Sequence, residues 1–589
     1  MKDLTATSNP IAPVPEPPVR LRSPRRLFEA FEGVFDEESF FLILSVFIGI
    51  FSGLAVVCFR IAIDWIHLVL LGPLPQTHNW RTLAVPSIVG LVVALLVMHL
   101  FPAIRGSGVN QTKAALYIFN GFIPFRTAIG KFICCALAIG SGQSLGPEDP
   151  SLQIGASLAS AMGRQLKLSR EKLRLMAPVG AAAGLAAAFN APISAVLFVI
   201  EEVIGRWSAG ILGSVVLAAV ASVVVERWFL GSEPIFRVPV TAFKRPSELI
   251  AYLVLGLVGG LAAVVFAKAI GFLRPRLKAM PRWTQYFQPA IAGLLIGIIG
   301  YFGAPEVMGA GYNFMDQAMH GQYVWQLLAT LAALKILATT LSFVSGTPGG
   351  MFAPALFVGA MLGGAVGGVE HLFFPHLVGS TGTYALVGMG VLFAGFLRAP
   401  MTSVFMVLEM SGNYEIIVPV IVANTFAYVV SRSLEPVPIF DLLTRQDGLV
   451  LPSLEEEREE AILRVEDAMQ PAPPIILSAA DYVDAAARRI ENSSQTIFPV
   501  RLHPSGWSVI TREQIQRRFK EGKGEHTLGS LISAQPLPSL FPDLPLDSAL
   551  RFVQNCQIVP VVNRANPQKL EGIISSQSVF AKYAKPPQD

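Results

Sequence analysis

The sequence predicts a mainly α-helical, polytopic membrane protein built of two repeats with broken helices, followed by a small soluble α/β domain. Three observations carry this reading. Hydrophobic residues make up 52% of the 589 positions and charged residues 15%, a balance unlike that of a soluble enzyme. Segments of the first half return about 200 residues later in an equally apolar context. Hydrophobic density then drops sharply after Asp441.

The first forty residues contain no apolar core flanked by a cleavage site and read as a disordered, Pro-rich tail over residues 1–38. Arg20, Arg22, Arg25 and Arg26 cluster just before the first apolar run, which favours a cytoplasmic N-terminus. Apolar runs at 40–63, 82–100, 249–272, 289–302, 327–344 and 416–430 approach or exceed the length needed to cross a hydrocarbon core. Others are shorter or are broken by Gly and Pro. The membrane domain is expected over residues 39–445, with repeats at about 39–230 and 249–445.

The repeats align at chemically specific places. Gly146-Pro147-Glu148-Asp149-Pro150 corresponds to Gly350-Met351-Phe352-Ala353-Pro354, so Glu148 and Phe352 hold the same repeat position. The stretch from Val179 through Asn190-Ala191-Pro192 to Glu201 aligns without gaps with that from Val387 through Arg398-Ala399-Pro400 to Glu409. Paired, interrupted segments of this kind point to a transport site at the repeat interface.

Helices that begin inside a membrane domain leave their first N–H groups unpaired and carry partial positive charge, which makes them anion sites. Three such starts are expected, after Gly106-Ser107-Gly108, after Gly146-Pro147 and after Gly349-Gly350. Glycine lets the backbone approach an ion closely. Ionisable groups at this depth, Glu148 and Asp149 first, are candidate functional residues. Plainer roles stay open for several others: a helix N-cap for Ser107, a solvent-facing helix end for Glu201 and Glu202, core packing for Phe352 and Phe440.

Taken together, Gly106-Ser107-Gly108-Val109-Asn110, Gly146-Pro147-Glu148-Asp149-Pro150, Gly350-Met351-Phe352-Ala353-Pro354, the Asn190-Ala191-Pro192 helix ending in Glu201-Glu202, and Pro438-Ile439-Phe440-Asp441 resemble the signature segments of the CLC chloride channels and chloride/proton antiporters. The resemblance covers nearly the whole chain from about residue 40, in the right order, and implies the CLC fold of two inverted repeats. It also implies that Ser107 donates its hydroxyl to a central chloride, that Met351 and Phe352 offer it backbone N–H groups, and that Phe440 lines the same site. Glu148 would be the gating carboxylate, competing with chloride when ionised and swinging away when protonated. Glu202 would be the inner proton-transfer acid of the antiporters. The resemblance further implies a homodimer with one pathway per subunit.

The chain departs from the family pattern at four positions. Pro147 stands where a basic residue is common, and Asp149 where a glycine is common, which makes Asp149 a candidate modifier of the gate. It shares the gate, caps a helix or points to water. Asn110 replaces a proline, and Phe440 replaces a tyrosine hydroxyl that the family offers to the central anion. Serine at position 107 goes with chloride preference in the family.

After a charged linker at 446–464, two similar units at 465–522 and 523–585 each carry a helix, β-branched strands (Ile497-Phe498-Pro499-Val500; Ile558-Val559-Pro560-Val561-Val562) and a final helix. That order resembles a pair of CBS modules. Thr511-Arg512-Glu513-Gln514 and Ser575-Ser576-Gln577-Ser578 lack the aspartate that contacts an adenosine ribose. This argues against adenine-nucleotide binding and equally for a structural or dimer-stabilising tail.

The composition narrows the function classes. A net charge of +4 with dispersed basic residues gives no case for nucleic acid. Cys58, Cys134, Cys135 and Cys556 and the eight scattered histidines show no metal-ligand spacing and no disulfide framework, so no metal or other cofactor is expected. The expected partners are chloride, protons and the lipid bilayer, most simply in a plasma or inner membrane with the CBS pair cytoplasmic. Glu148 together with Glu202 points to proton-coupled chloride antiport rather than enzyme chemistry. A passive gated chloride channel is the alternative. A membrane-embedded enzyme or sensor using Glu148 and Asp149 as acid and base is more remote, because no nucleophile or metal constellation completes it.

Overall fold

The computed structural model describes residues 37–73, 76–166, 168–205, 209–238, 246–374, 380–449, 463–502, 506–532, 536–553, 558–564 and 566–583. The Pro-rich N-terminal stretch and the charged run at 455–460 lie outside them. The chain divides into two compact units at residue 452.

Among its described residues the first unit is built of helices. Its first half comprises α1 (Glu37–Leu70), α2 (Trp80–His99), α3 (Gly108–Tyr117), α4 (Phe125–Gly140), α5 (Glu148–Gln165), α6 (Arg170–Phe189), α7 (Pro192–Phe198), which continues as a π-helical turn (Val199–Ile204), and α8 (Ala209–Leu230). Its second half comprises α9 (Glu248–Ala279), α10 (Gln288–Phe302), α11 (Tyr312–Met319), α12 (Trp325–Val344), α13 (Phe352–Phe373), α14 (Thr381–Leu397), α15 (Pro400–Ser411) and α16 (Ile417–Leu434), and α17 (Ile439–Gln446) leads out. Among the described residues, eight helices are long and apolar enough to cross a membrane. Trp228 is 84% exposed and Phe302 73%, a placement that lipid tolerates and water does not.

The halves match element for element, and their packing repeats. α5 lies on α6 as α13 lies on α14, α1 lies on α8 as α9 lies on α16, and α6 meets α8 as α14 meets α16. Close approach explains the first pair. A Cβ at Gly155 would sit 2.1 Å from the Gly180 carbonyl oxygen, and one at Gly359, its counterpart, 2.2 Å from that of Gly388. Small residues thus let the two backbones touch, where a lipid-like solvent offers helices little other reason to associate.

Two contacts tie the halves across a local two-fold axis. Gly146 and Gly350 form an antiparallel bridge, each N–H donating to the other's carbonyl at 2.8 Å. Equivalent residues that pair antiparallel require an axis between them. Farther along, Glu201 accepts from the Met401 N–H at 3.2 Å and the Thr402 N–H at 2.9 Å at the start of α15. Glu409 accepts from the Ile193 N–H at 3.0 Å and the Ser194 N–H at 2.8 Å at the start of α7. Each carboxylate also takes a hydroxyl, Thr402 or Ser194, at 2.5 Å. Each half therefore caps a helix of the other.

The turns before these capped helices also match. Asn190 and Arg398 are both left-handed, with φ of 52° and 62°, and both are followed by an alanine and a helix-starting proline. An arginine in this region is strained, and its guanidinium holds it there by donating to the carbonyls of Ser431, at 2.8 Å, and Glu435.

The second unit comprises α18 (Val465–Ala468), β1 (Gln470–Pro471), β2 (Leu477–Ser478), α19 (Val483–Ile490), β3 (Ile497–Arg501), β4 (Trp507–Thr511), α20 (Arg512–Lys520), α21 (Leu546–Val553), β5 (Ile558–Val562), β6 (Leu570–Ser575) and α22 (Ser576–Tyr583). Among the described residues these strands form two three-stranded sheets, in the orders β2-β3-β4 and β1-β6-β5. Val465 and Ala468 are buried with Leu546, Val559 and Ile574, and Gln470 pairs with Ile573. The stretch 465–471, grouped with the first unit on sequence, thus supplies the outer strand of the second sheet.

Gly359→Ala should lower the melting temperature in detergent, at a cost of about 1–3 kcal/mol from overpacking. Gly213→Ala, whose Cβ would meet only a Leu42 methyl at 3.5 Å, should not lower it. Glu201→Gln and Glu409→Gln should each lose an ionic cap worth roughly 1–2 kcal/mol, with similar drops for the two variants in the same thermal assay.

Candidate functional site

The N-terminus of α3 is built by a left-handed Gly106, φ 86°, whose carbonyl accepts from the Lys131 ammonium at 3.0 Å. Ser107 follows as N-cap, its Oγ accepting from the Val109 N–H at 3.2 Å. The same hydroxyl donates at 3.0 Å to Oδ1 of Asp149, which also accepts from the Val109 N–H at 2.9 Å. Oδ2 of Asp149 accepts from the Gly108 N–H at 2.9 Å. Each such charge-assisted bond contributes roughly 1.5–3 kcal/mol. Ser107, expected to face a central anion, here binds a carboxylate of its own chain. Of the roles left open for Asp149, capping is the one observed. It caps α3 rather than its own helix, and at 2% exposure it does not face water.

The Gly146–Gly350 bridge brings the starts of α5 and α13 together. Glu148, fully buried, turns its carboxylate onto α13: Oε2 accepts from the Ala353 N–H at 3.2 Å, and Oε1 accepts from the Tyr312 hydroxyl. Adjacent carboxylates on one helical turn therefore sit on the N-termini of two different helices.

Met351 is the N-cap of α13 and Phe352 its first residue. Among the described residues, nothing accepts from their N–H groups. The Phe352 ring lies in an aromatic cluster, 5.0 Å from Phe198, 5.7 Å from Phe393 and 6.2 Å from Phe440 between centroids. Phe440 is buried, 6.3 Å from Phe198, and closes the cluster from α17. Its carbonyl accepts from the Asn110 amide at 3.0 Å, so the residue that replaces a proline ties α3 to α17.

Glu202 lies in the π-helical turn and is only 3% exposed, which removes the solvent-facing reading. It accepts from the Lys113 ammonium at 3.1 Å, and Lys113 also pairs with Asp441 at 3.3 Å. Glu201 points instead to α15, as described above. The single step in sequence between these acids separates a fold contact from a buried charge cluster.

Two cavities approach the carboxylates and share no lining residue. One of about 370 Å³ is lined by Arg105, Ser107, Asn110, Gln111, Thr444 and Asp447 among others. Another of about 170 Å³ is lined by Asp64, His67, Met308, Gly311 and Tyr312 among others. Ser107 thus borders the first and Tyr312, the partner of Glu148, borders the second.

Sequence reasoning missed Tyr312, Lys113, Asp441 and Lys131 as parts of the site. Tyr312 was within reach: it starts α11, the counterpart of α3, so extending the repeat alignment to Gly108 would have pointed to it. Lys113 and Lys131 were visible only as cations inside apolar stretches, which is itself the signal that buried partners exist. A third fully buried lysine, Lys335, donates to the carbonyls of Val307 at 2.9 Å and Gly309 at 2.7 Å and so fixes the loop that leads into α11.

The sequence model of the family described as voltage gated chloride channel matches residues 89–432. A ClcB-like protein of Ralstonia nicotianae, carried under a chloride-channel name, is 32% identical over 403 residues, covering 67% of this chain and 94% of the relative. The H(+)/Cl(-) exchange transporter ClcA of Salmonella arizonae is 32% identical over 416 residues, covering 68% and 87% respectively. The crystal structure of a slow cyanobacterial Cl-/H+ antiporter superposes with a TM-score of 0.64 at 26% identity, covering 70% of this chain and 99% of that one. The chain, a multi-pass membrane protein of two inverted repeats with broken helices, belongs to the voltage-gated chloride channel family, CLC.

Proposed function

We propose that this protein exchanges chloride for protons across its membrane, with Glu148 as the gate. The observation that carries the reading is the seat of the Glu148 carboxylate on the Ala353 N–H, at the start of a helix whose Met351 and Phe352 N–H groups have no acceptor among the described residues. Carboxylate and chloride want the same positive field, and a proton on Glu148 removes the competitor. Ser107, Met351, Phe352 and Phe440 line the chloride site in this reading, with Phe440 supplying bulk but no hydroxyl. Relatives carrying the names exchange transporter and Cl-/H+ antiporter support the assignment.

The charge cluster around Glu202 favours antiport over a passive channel. Lys113 with Glu202 and Asp441 sums to a formal charge of −1 in a buried place, so one added proton neutralises it. Lys113 then keeps Asp441 as its partner while Glu202 holds the proton. Asp441, whose side chain is 14% exposed, is the member that water reaches. Glu202 acts as the inner proton-transfer acid and Lys113 as the residue that positions it.

The subunit works as a homodimer, in a plasma or inner membrane, with the N-terminus and the second unit cytoplasmic. The second unit is read as a CBS pair over 465–522 and 523–585 with a structural, dimer-stabilising role. Thr511 is committed to a capping box with Gln514, its Oγ1 accepting at 3.3 Å and its N–H donating at 2.9 Å, which supports a role without adenine nucleotide. Chloride is the substrate, and no cofactor takes part in the scheme.

In liposomes under a chloride gradient, the purified protein should drive proton movement; chloride flux with no proton flux would establish the channel alternative instead. Glu148→Ala should keep chloride flux and lose proton pumping, and retained pumping would remove Glu148 from the gate. Glu202→Gln should likewise pass chloride without protons. Phe440→Tyr should restore a donor and tighten chloride binding by about 1 kcal/mol, roughly five-fold, in equilibrium titration.

A further inference from the structure

We propose that Asp149 is a second tethered anion, which occupies the α3 seat for chloride at Ser107 and yields it on taking up one proton. The inference rests on the reading of Ser107 as part of the chloride pathway. The donors that Asp149 holds on α3 are different from the one that Glu148 holds on α13. The Ser107 hydroxyl and the N–H groups of Gly108 and Val109 are all directed to the one Asp149 carboxylate. A chloride at this helix end must take the same donors, so carboxylate and chloride exclude one another there. The cavity of about 370 Å³ reaches Ser107, which puts the seat beside a space of ionic size or larger.

A plain helix cap would not need this arrangement. Asp149 belongs to the first turn of α5 and reaches across to α3, giving Ser107, a good N-cap by itself, a second partner in the carboxyl group. A Cβ at position 350 would sit 2.8 Å from the Asp149 Cβ, so the glycine lets the α13 start lie close against Asp149 and leaves its carboxyl end as the part free to turn. A destination for that end is present. Gln153, one turn along α5, is fully buried, and its Oε1 has no hydrogen-bond donor among the described residues. Residues four apart on a helix are neighbours. A buried acceptor without a donor is costly, and the O–H of protonated Asp149 is the donor it lacks.

The step balances in charge. Asp149 takes a proton, releases Ser107, Gly108 and Val109, and donates its O–H to Gln153 Oε1, while chloride accepts the three released donors. One proton and one chloride occupy the site together, and its net charge is unchanged. Among the described residues, the titratable groups facing Asp149 are Glu148 beside it on α5, the Cys135 thiol of α4, and Lys131, also from α4, which faces α3 through the Gly106 carbonyl. Lys131 stays paired with that carbonyl in both arrangements.

The test uses the full chain in detergent with Glu148→Ala as background, so that the first carboxylate cannot contribute. Chloride binding is followed by calorimetry, and proton uptake by a pH electrode in weakly buffered solution. The Glu148→Ala protein should take up about one proton per chloride bound. Adding Asp149→Asn or Asp149→Gly should abolish that uptake and tighten chloride binding by about ten-fold or more, as expected when a charged competitor is removed. A purely structural cap would lower the melting temperature on substitution and leave both readouts unmoved. Chloride binding without proton uptake in Glu148→Ala would overturn the proposal while leaving chloride transport and the Glu148 gate intact. Chloride binding in neither the native protein nor any variant would overturn it together with the chloride reading of Ser107.

Discussion

Unpaired N–H groups at the buried ends of α3 and α13 are the constraint on which the rest of the membrane unit depends. In an apolar interior, each orphan donor costs on the order of a few kcal/mol unless something negative meets it. The chain meets them with its own side chains, Asp149 at α3 and Glu148 at α13. The two acids can do so only because the Gly146–Gly350 bridge brings the helix starts within reach of one turn of α5. Glycine at both bridge positions, small residues between α5 and α6 and between α13 and α14, and the aromatic cluster around Phe352 all serve that convergence.

Cation burial in this unit follows a second rule: each buried lysine is met by acceptors of the fold. Lys113 stands between Glu202 and Asp441, Lys131 rests on a carbonyl at the bend before α3, and Lys335 holds two carbonyls of the loop before α11. None of these lysines is placed as a fixed counter-charge directly on the Glu148 carboxylate. A permanent cation there would hold either the carboxylate or an anion too firmly to let it leave, whereas helix ends attract without a full charge.

Much of this was legible in the sequence. The gapless match of Asn190-Ala191-Pro192 with Arg398-Ala399-Pro400 pointed to duplicated halves, and the match of Glu201 with Glu409 left Glu202 the more distinctive acid. Both features stand in the structure, the former as paired left-handed residues and the latter as paired caps. What sequence could not convey was direction. Asp149 could have capped its own helix, and nothing in its spacing says that it crosses to α3. The partners of Glu202 lie on α3 and α17, far apart in the chain, and only the folded packing selects them. In the second unit, the outer strand of the second sheet comes from a two-residue segment at 470–471, too short to carry a periodic signal.

The crossed caps of Glu201 and Glu409 carry a historical implication. A half that caps its twin, and is capped in return by the same residue, would find that partner equally well on a separate chain. An ancestor encoding only one half could therefore have assembled as a pair of identical molecules around the same axis. Fusion would then have freed the two copies to diverge at the axis itself, one keeping an acid at position 148 and the other a phenyl ring at 352. The asymmetry on which an ion pathway depends is in this view younger than the architecture that holds it.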